Sequence, residues 1–177
     1  MTEPSLQERC AAVELLVMDV DGVLSDGGIW VDDNGVEAKQ FHVRDGAGIA
    51  YWMRAGKRAA IISGRYCKAV DHRAAELGIT RVFQGRLDKR PALEELLAAE
   101  RIAPAQVCAI GDDLADIPAL RHVGLAVAVA DAVDEVRAAA HYVTRATGGR
   151  GAVRELVEML LRAQGRWADV VRRYEGR

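Results

Sequence analysis

Four apolar runs recur along the chain: Leu15-Leu16-Val17, Ala59-Ala60-Ile61-Ile62, Val107-Cys108-Ala109-Ile110 and Leu125-Ala126-Val127-Ala128-Val129. None alternates with polar residues, so each reads as a strand buried on both faces rather than one half exposed to water. Helix-length stretches separate them, which calls for crossover connections, a mainly parallel sheet and helices on both faces. The fold class is therefore α/β. In such sheets ligands sit beyond the carboxyl ends of the strands, and that is where Asp19, Asp21, Ser63, Asp112 and Asp113 fall.

The intervening segments supply the remaining elements. Gly28 to Phe41 makes two short alternating runs about Asn34-Gly35, a hairpin signature that predicts a β-hairpin flap over about 27–42. Apolar spacing predicts helices over 46–56, ended by Gly56, and near 66–77, ended by Gly78. A short strand at Arg81-Val82-Phe83 and a helix over about 88–101 follow, then helices near 114–122 and 132–139 and a strand at His141-Tyr142-Val143. Gly148-Gly149 breaks the chain before a long amphipathic helix from Gly151, and the C-terminal tail is taken as about 148–177. Arg172-Arg173-Tyr174-Glu175 reads as a solvated helix end. One domain over 1–177 accommodates these elements around a single core.

The 24 Lys and Arg nearly balance the 26 Asp and Glu, leaving a formal charge of −2 and no long basic block. That argues against nucleic acid or a membrane surface as partner and for a small-molecule substrate. Residues 1–14 lack the regions of a signal peptide and no apolar run is long enough to span a bilayer, so a cytoplasmic protein is expected. Cys10, Cys67 and Cys108 are odd in number and widely spaced, which fits reduced thiols. Cys67 lies close to a loop assigned to the site, where exposure would make it oxidisable.

Asp19 and Asp21 stand two residues apart at a strand end, so an extended chain turns both carboxylates into one space. Such a pair suits phosphoryl transfer. Asp19 attacks phosphorus to form an aspartyl phosphate that water then hydrolyses, and Asp21 protonates the leaving alkoxide, with nearby carboxylates favouring its protonated form. The anionic ester repels its nucleophile, so the site needs positive charge. Asp19, Asp112 and the backbone carbonyl of Asp21 offer oxygen ligands to Mg²⁺, Ser63 offers a hydroxyl and Lys89 a cation. Asp113 reads as a helix cap or support for the metal, with Asp116 a further helper. His72, His122 and His141 lack metal-ligand spacing, and Trp30, Tyr51 and Trp52 are expected in the core or at a subunit interface.

Asp19-Val20-Asp21-Gly22-Val23, Ile61-Ile62-Ser63-Gly64-Arg65, Lys89 and Gly111-Asp112-Asp113 resemble, in order and spacing, the four motifs of the haloacid dehalogenase superfamily. The resemblance implies a Rossmann-like three-layer sandwich, an aspartate nucleophile and Mg²⁺. Asp21 points to the phosphatase branch, since the dehalogenases lack it. Phe41-His42-Val43-Arg44-Asp45-Gly46, Gln84-Gly85 and the stretch from His141 through Gly148-Gly149-Arg150-Gly151 to Arg154-Glu155 narrow it further. Together they resemble the 3-deoxy-D-manno-octulosonate 8-phosphate phosphatase family, from about Glu14 to about Gly165. Ser25 and Ser63 stand where that family often has threonine, and both keep the hydroxyl.

That resemblance implies substrate contacts from Asp21, His42, Val43, Arg44, Asp45, Gly46, Ala50, Arg65, Arg73 and Lys89. A sugar acid phosphate carries a carboxylate and a phosphate, both suited to arginine. It also implies a capless, cytoplasmic homotetramer whose hairpins build a central barrel. A mobile tail would bring Arg150 to its own or a neighbouring active site. Two alternatives stay open: a nine-carbon keto-deoxy-nonulosonate or acylneuraminate 9-phosphate as substrate, and a non-catalytic oligomerisation module.

Overall fold

In chain order the elements are α1 (Leu6–Ala12), β1 (Leu15–Met18), β2 (Trp30–Val31), β3 (Glu37–Ala38), α2 (Val43–Arg54), β4 (Arg58–Ile62), α3 (Lys68–Leu77) and β5 (Arg81–Phe83). Then come α4 (Lys89–Glu100), β6 (Val107–Gly111), α5 (Ile117–Leu120), β7 (Leu125–Ala128), α6 (Asp134–Ala139), β8 (Tyr142–Val143), α7 (Ala152–Ala163) and α8 (Trp167–Arg172). The structure is a computed structural model and describes residues 3–176.

Every residue of β1 is buried because the strand lies between two parallel neighbours, β4 and β6. With β5 outside β4, and β7 and β8 outside β6, the parallel order is β5-β4-β1-β6-β7-β8. The order reverses at β1, where a crevice opens at the carboxyl edge. Met18 is level with both Ile61 and Ile110. Asp19 follows directly, and Ser63 and Asp112 lie two residues past those partners, so the register delivers all three to one edge.

Helices cover both faces, making three layers: α2 packs on α7 and α3, with α1 also on α7, while α4, α5 and α6 pack in series on the other face. In α7 the buried residues Ala152, Val153, Leu156, Val157, Leu160 and Leu161 recur at helical spacing, which fixes that helix on the core. The stretch from 148 to 163 is therefore integral to the domain rather than a mobile tail. α8 has no fully buried residue, and only its Trp167 and Val170 pack against the edge of the core.

Several elements differ from the sequence expectation. The N-terminal helix α1 was not anticipated, although Ser5 and Glu8 form a capping box that starts it. α2 begins at Val43 rather than residue 46, with His42 in extended conformation before it. The hairpin is real but short: β2 and β3 pair only Trp30 with Ala38 and Val31 with Glu37, and the Asp32 carboxylate accepts from the Asn34 and Val36 amides to shape its turn. Trp30 is exposed on it, Trp52 is in the core, and Tyr51 meets Trp167 and Tyr174 edge-on. Cys67 is buried, as are Cys10 and Cys108, so the exposed, oxidisable thiol expected at Cys67 is not there.

Candidate active site

Three buried or half-buried acids gather at the end of β1 and β6. One carboxylate oxygen from each of Asp19, Asp112 and Asp116 lies within 4.8 Å of the others. Lys89, the first residue of α4, reaches into the group and donates to Asp19 Oδ1 at 2.7 Å and Asp116 Oδ1 at 2.6 Å. The second oxygen of Asp116 accepts from the backbone amides of Asp112 and Asp113, at 2.9 and 3.2 Å, which ties down the loop after β6. Asp113 caps the following turn through the Leu114 amide, as its sequence position suggested.

One cation cannot neutralise three acids. Burial, and then the Asp116 charge, push the Asp19 carboxyl up to about 6 even with Lys89 beside it. Burial and the charges of Asp19 and Asp116 push Asp112 up to about 8. Burial opposes the Lys89 charge, but Asp19 and Asp116 outweigh it and hold the ammonium above its ordinary range. Asp112 Oδ1 is buried with no hydrogen-bond partner among the described residues. Crowded carboxylates with an orphaned oxygen fit a hard divalent cation such as Mg²⁺. Asp116 has already committed both oxygens, so Asp19 and Asp112 are the candidates for side-chain ligands.

The loop between Asp19 and Gly27 is held by close backbone approach. Gly22 has φ +86°, and a Cβ there would stand 2.0 Å from Asp112 Oδ2. On its other side lies Gly148, where a Cβ would stand 1.7 Å from the Gly22 carbonyl oxygen. The Gly148-Gly149 break is thus the surface on which the Asp19 loop rests. Ser25 Oγ donates to the Val20 carbonyl at 3.2 Å inside the same loop.

Asp21 points elsewhere. Its carboxylate pairs with Lys39 of the flap, and Arg65 Nε lies 4.0 Å away. Instead of the acidic neighbours expected to favour its protonated form, the ionic partners of Asp21 among the described residues are cations, while Asp19, Asp112 and Asp116 cluster together. Lys39 is the site residue that sequence reasoning missed. Its only signal was its position two residues after Glu37 in a short alternating strand, and Glu37 in turn pairs with Arg65 at 2.5 Å. Ser63 is buried and its Oγ accepts from the Arg65 amide at 3.3 Å, leaving its hydrogen free for a phosphoryl oxygen.

The other candidates divide. His42 to Gly46 form the start of α2, where the Val43, Arg44 and Asp45 amides have no protein partner among the described residues. Such amides, at the positive end of a helix, suit an anion. The Asp45 side chain does not share that role: it is buried and accepts from the Gly151 and Arg154 amides at 3.1 and 2.8 Å, capping α7. Arg73 lies over Gly46, stacks on Phe41 and pairs with Glu76. Ala50 is half-buried within α2. Arg44 opens on a groove of about 720 Å³ with Arg145, Arg150 and Arg154. Arg150 pairs within its own chain with Asp26, at 2.8 Å, next to the Asp19 loop.

A parallel sheet whose central strand ends in Asp19-Val20-Asp21, with Ser63, Lys89 and Asp112 at the adjoining ends, defines a haloacid dehalogenase-like hydrolase. The profile of that family, under the same description, matches residues 76–156. The 3-deoxy-D-manno-octulosonate 8-phosphate phosphatase KdsC of Yersinia pestis is 51% identical over 157 residues, 89% of this chain and 84% of that protein. A crystal structure of the Yersinia pestis phosphatase superposes with a TM-score of 0.91 at 49% identity, covering 92% of this chain and 88% of the other. The Moraxella catarrhalis phosphatase, solved with magnesium, phosphate and a KDO molecule, superposes with a TM-score of 0.93 at 40% identity over 95% and 97% of the two chains. This chain belongs to the 3-deoxy-D-manno-octulosonate 8-phosphate phosphatase family.

Proposed function

We propose that the chain hydrolyses 3-deoxy-D-manno-octulosonate 8-phosphate to the free sugar acid and inorganic phosphate, through an aspartyl phosphate on Asp19. The observation that carries this reading is the Asp19–Lys89–Asp116–Asp112 cluster, which is short of positive charge where a phosphoryl group would arrive. Mg²⁺, held by Asp19, Asp112 and the Asp21 carbonyl, would neutralise the acids and the phosphoryl oxygens. Lys89 holds the Asp19 carboxylate in place and adds a second cation to the same space. Asp19 forms a bond to phosphorus as the ester oxygen leaves, and Asp21 gives that oxygen its proton. In the second half, water attacks the acyl phosphate, Asp21 takes the water's proton, and Asp19 is released. Ser63 donates its hydroxyl to a phosphoryl oxygen. In this reading the acidic, hydroxylated remainder is received by the free amides of α2 and by the guanidinium groups of Arg65 and Arg73, which pair with Glu37 and Glu76.

With that substrate the chain would serve lipopolysaccharide assembly in the cytoplasm. All three cysteines are free, and no helix among the described residues is long and apolar enough to cross a membrane. The flap exposes Ile29, Trp30, Val31 and Val36 together, an apolar face that supports the homotetramer. Mass determination by light scattering tests that assembly, and a monomer at micromolar concentration would refute it.

The test of the substrate is phosphate release from the eight-carbon ester and a nine-carbon keto-sugar 9-phosphate, each with Mg²⁺ and with chelator. The expected result is Mg²⁺-dependent turnover with kcat/KM favouring the eight-carbon ester. Preference for the nine-carbon ester would keep the mechanism and replace the substrate, and silence on both would refute the proposal.

A further inference from the structure

Burial alternates from β3 into the residues just after it: Glu37 and Lys39 are partly covered, while Ala38 and Gln40 between and after them are exposed, which sets Glu37 and Lys39 on the same side of the flap. That inner edge lies against the catalytic loop. The Lys39 side chain is only 1% exposed, and Asp21 is the sole hydrogen-bond partner of its ammonium among the described residues. Two residues back, Glu37 pairs with Arg65, on the loop after β4, at 2.5 Å. The other Glu37 oxygen is buried without a partner among the described residues. Shutting a lysine from water at the end of a two-residue strand is costly unless its charge is matched. Here the partner is the Asp21 carboxyl, the one acidic group of the Asp19-Val20-Asp21 pair that lies outside the Asp19 cluster; it accepts from the ammonium and matches its charge once its own proton has gone to the leaving oxygen.

We infer that Lys39 is a positioning residue: carried on the flap, it fixes the direction of the Asp21 carboxylate toward the departing ester oxygen, with the Glu37–Arg65 pair anchoring the strand that carries it. The flap is then part of the site of its own chain. The inference rests on the reading of Asp21 as the group that protonates the leaving oxygen. It has a distinctive consequence. An alkoxide needs that proton, whereas 4-nitrophenolate, a weak base, leaves without it. Misplacing Asp21 slows cleavage of the first ester and spares the second.

The experiment compares single-turnover cleavage of the eight-carbon ester and of 4-nitrophenyl phosphate, with Mg²⁺, in the full chain and in Lys39→Met, Lys39→Arg and Asp21→Asn variants. Lys39→Met is expected to slow the sugar ester roughly 10–100-fold, with KM within about threefold and the first-turnover release of 4-nitrophenolate within about twofold. Lys39→Arg, which keeps a cationic donor, restores most of the loss. Asp21→Asn shows the same dependence on leaving group, with larger amplitude. Should Lys39→Met fail to fold, Lys39→Gln carries the same comparison.

An equal loss on both esters would overturn the inference, since Lys39 would then act on the phosphoryl group or on the fold. Unchanged cleavage of the sugar ester, or no rescue by arginine, would overturn it as well. If Asp21→Asn treats the two esters alike, the reading of Asp21 itself fails, whatever Lys39 does.

Discussion

Stripping Mg²⁺ from this protein makes its stability fall as pH rises through neutrality. The folded chain holds the Asp112 carboxyl near pKa 8 and the Asp19 carboxyl near 6, against 3.8 for an ordinary aspartate. Both values are raised, so the folded state keeps protons that the unfolded state has released, and the resulting stabilisation is complete below about pH 4. It drains away as pH rises through about 6 for Asp19 and about 8 for Asp112. Between about pH 5.5 and 8.5 the Asp112 contribution declines across roughly 2.5 units at 1.36 kcal/mol each, on the order of 3 kcal/mol. For a chain of this size that is a drop in Tm of roughly 6–12 °C.

The assay is thermal unfolding by circular dichroism after chelation, at constant ionic strength. Saturating Mg²⁺ supplies the neutralising charge in place of protons, so it should flatten the slope and stabilise the protein most at the alkaline end. Asp112→Asn should also remove most of the slope. A metal-free Tm that is flat or rising over this range would refute the argument, as would a slope unchanged by Asp112→Asn.

Lys89→Met leaves Asp19 and Asp116 buried without their shared cation, and is expected to lower kcat roughly 10²–10³-fold and to cost about 3–5 kcal/mol in urea unfolding; turnover within threefold of wild type would contradict the site. Asp45→Ala removes the acceptor for the Gly151 and Arg154 amides at the start of α7 and should cost about 1–2 kcal/mol, with KM for the sugar phosphate within about twofold, because both carboxylate oxygens are spent on that cap. Gly148→Ala sets a methyl against the Gly22 carbonyl, so a loss of about 1–3 kcal/mol should come with reduced turnover as the Asp19 loop shifts; full activity at wild-type urea midpoint would show that the loop does not rest there.

The sheet and the acids at its carboxyl edge were legible because unbroken apolar runs mark strands buried on both faces, and register then decides which residues leave the sheet together. The role of Asp116 was half visible: its place after Asp113 suggested a helper, but the bond to Lys89 joins residues 27 positions apart and no local spacing announces it. Lys39 was invisible for the same reason, being 18 positions from Asp21 and just past a strand of two residues, too short to declare which side faces the site. Asp45 lay within a motif attributed to substrate. Only the packing of α7 on α2 shows that its carboxylate is spent on the Gly151 and Arg154 amides. The mobile tail after Gly148 is an expectation from the family resemblance alone; local sequence shows a break at Gly148-Gly149 but not that these glycines permit close approach to the Asp19 loop.

The central claim is that Asp19 carries the phosphoryl group. Rapid acid quench of the enzyme with Mg²⁺ and substrate labelled in its phosphate tests it directly, followed by peptide mapping of the labelled protein. The account predicts an acid-stable, hydroxylamine-labile phosphoryl group on the peptide containing Asp19, formed at least as fast as turnover and absent from Asp19→Asn. Phosphate release at full rate with no labelled enzyme at any time, or from Asp19→Asn, would contradict it.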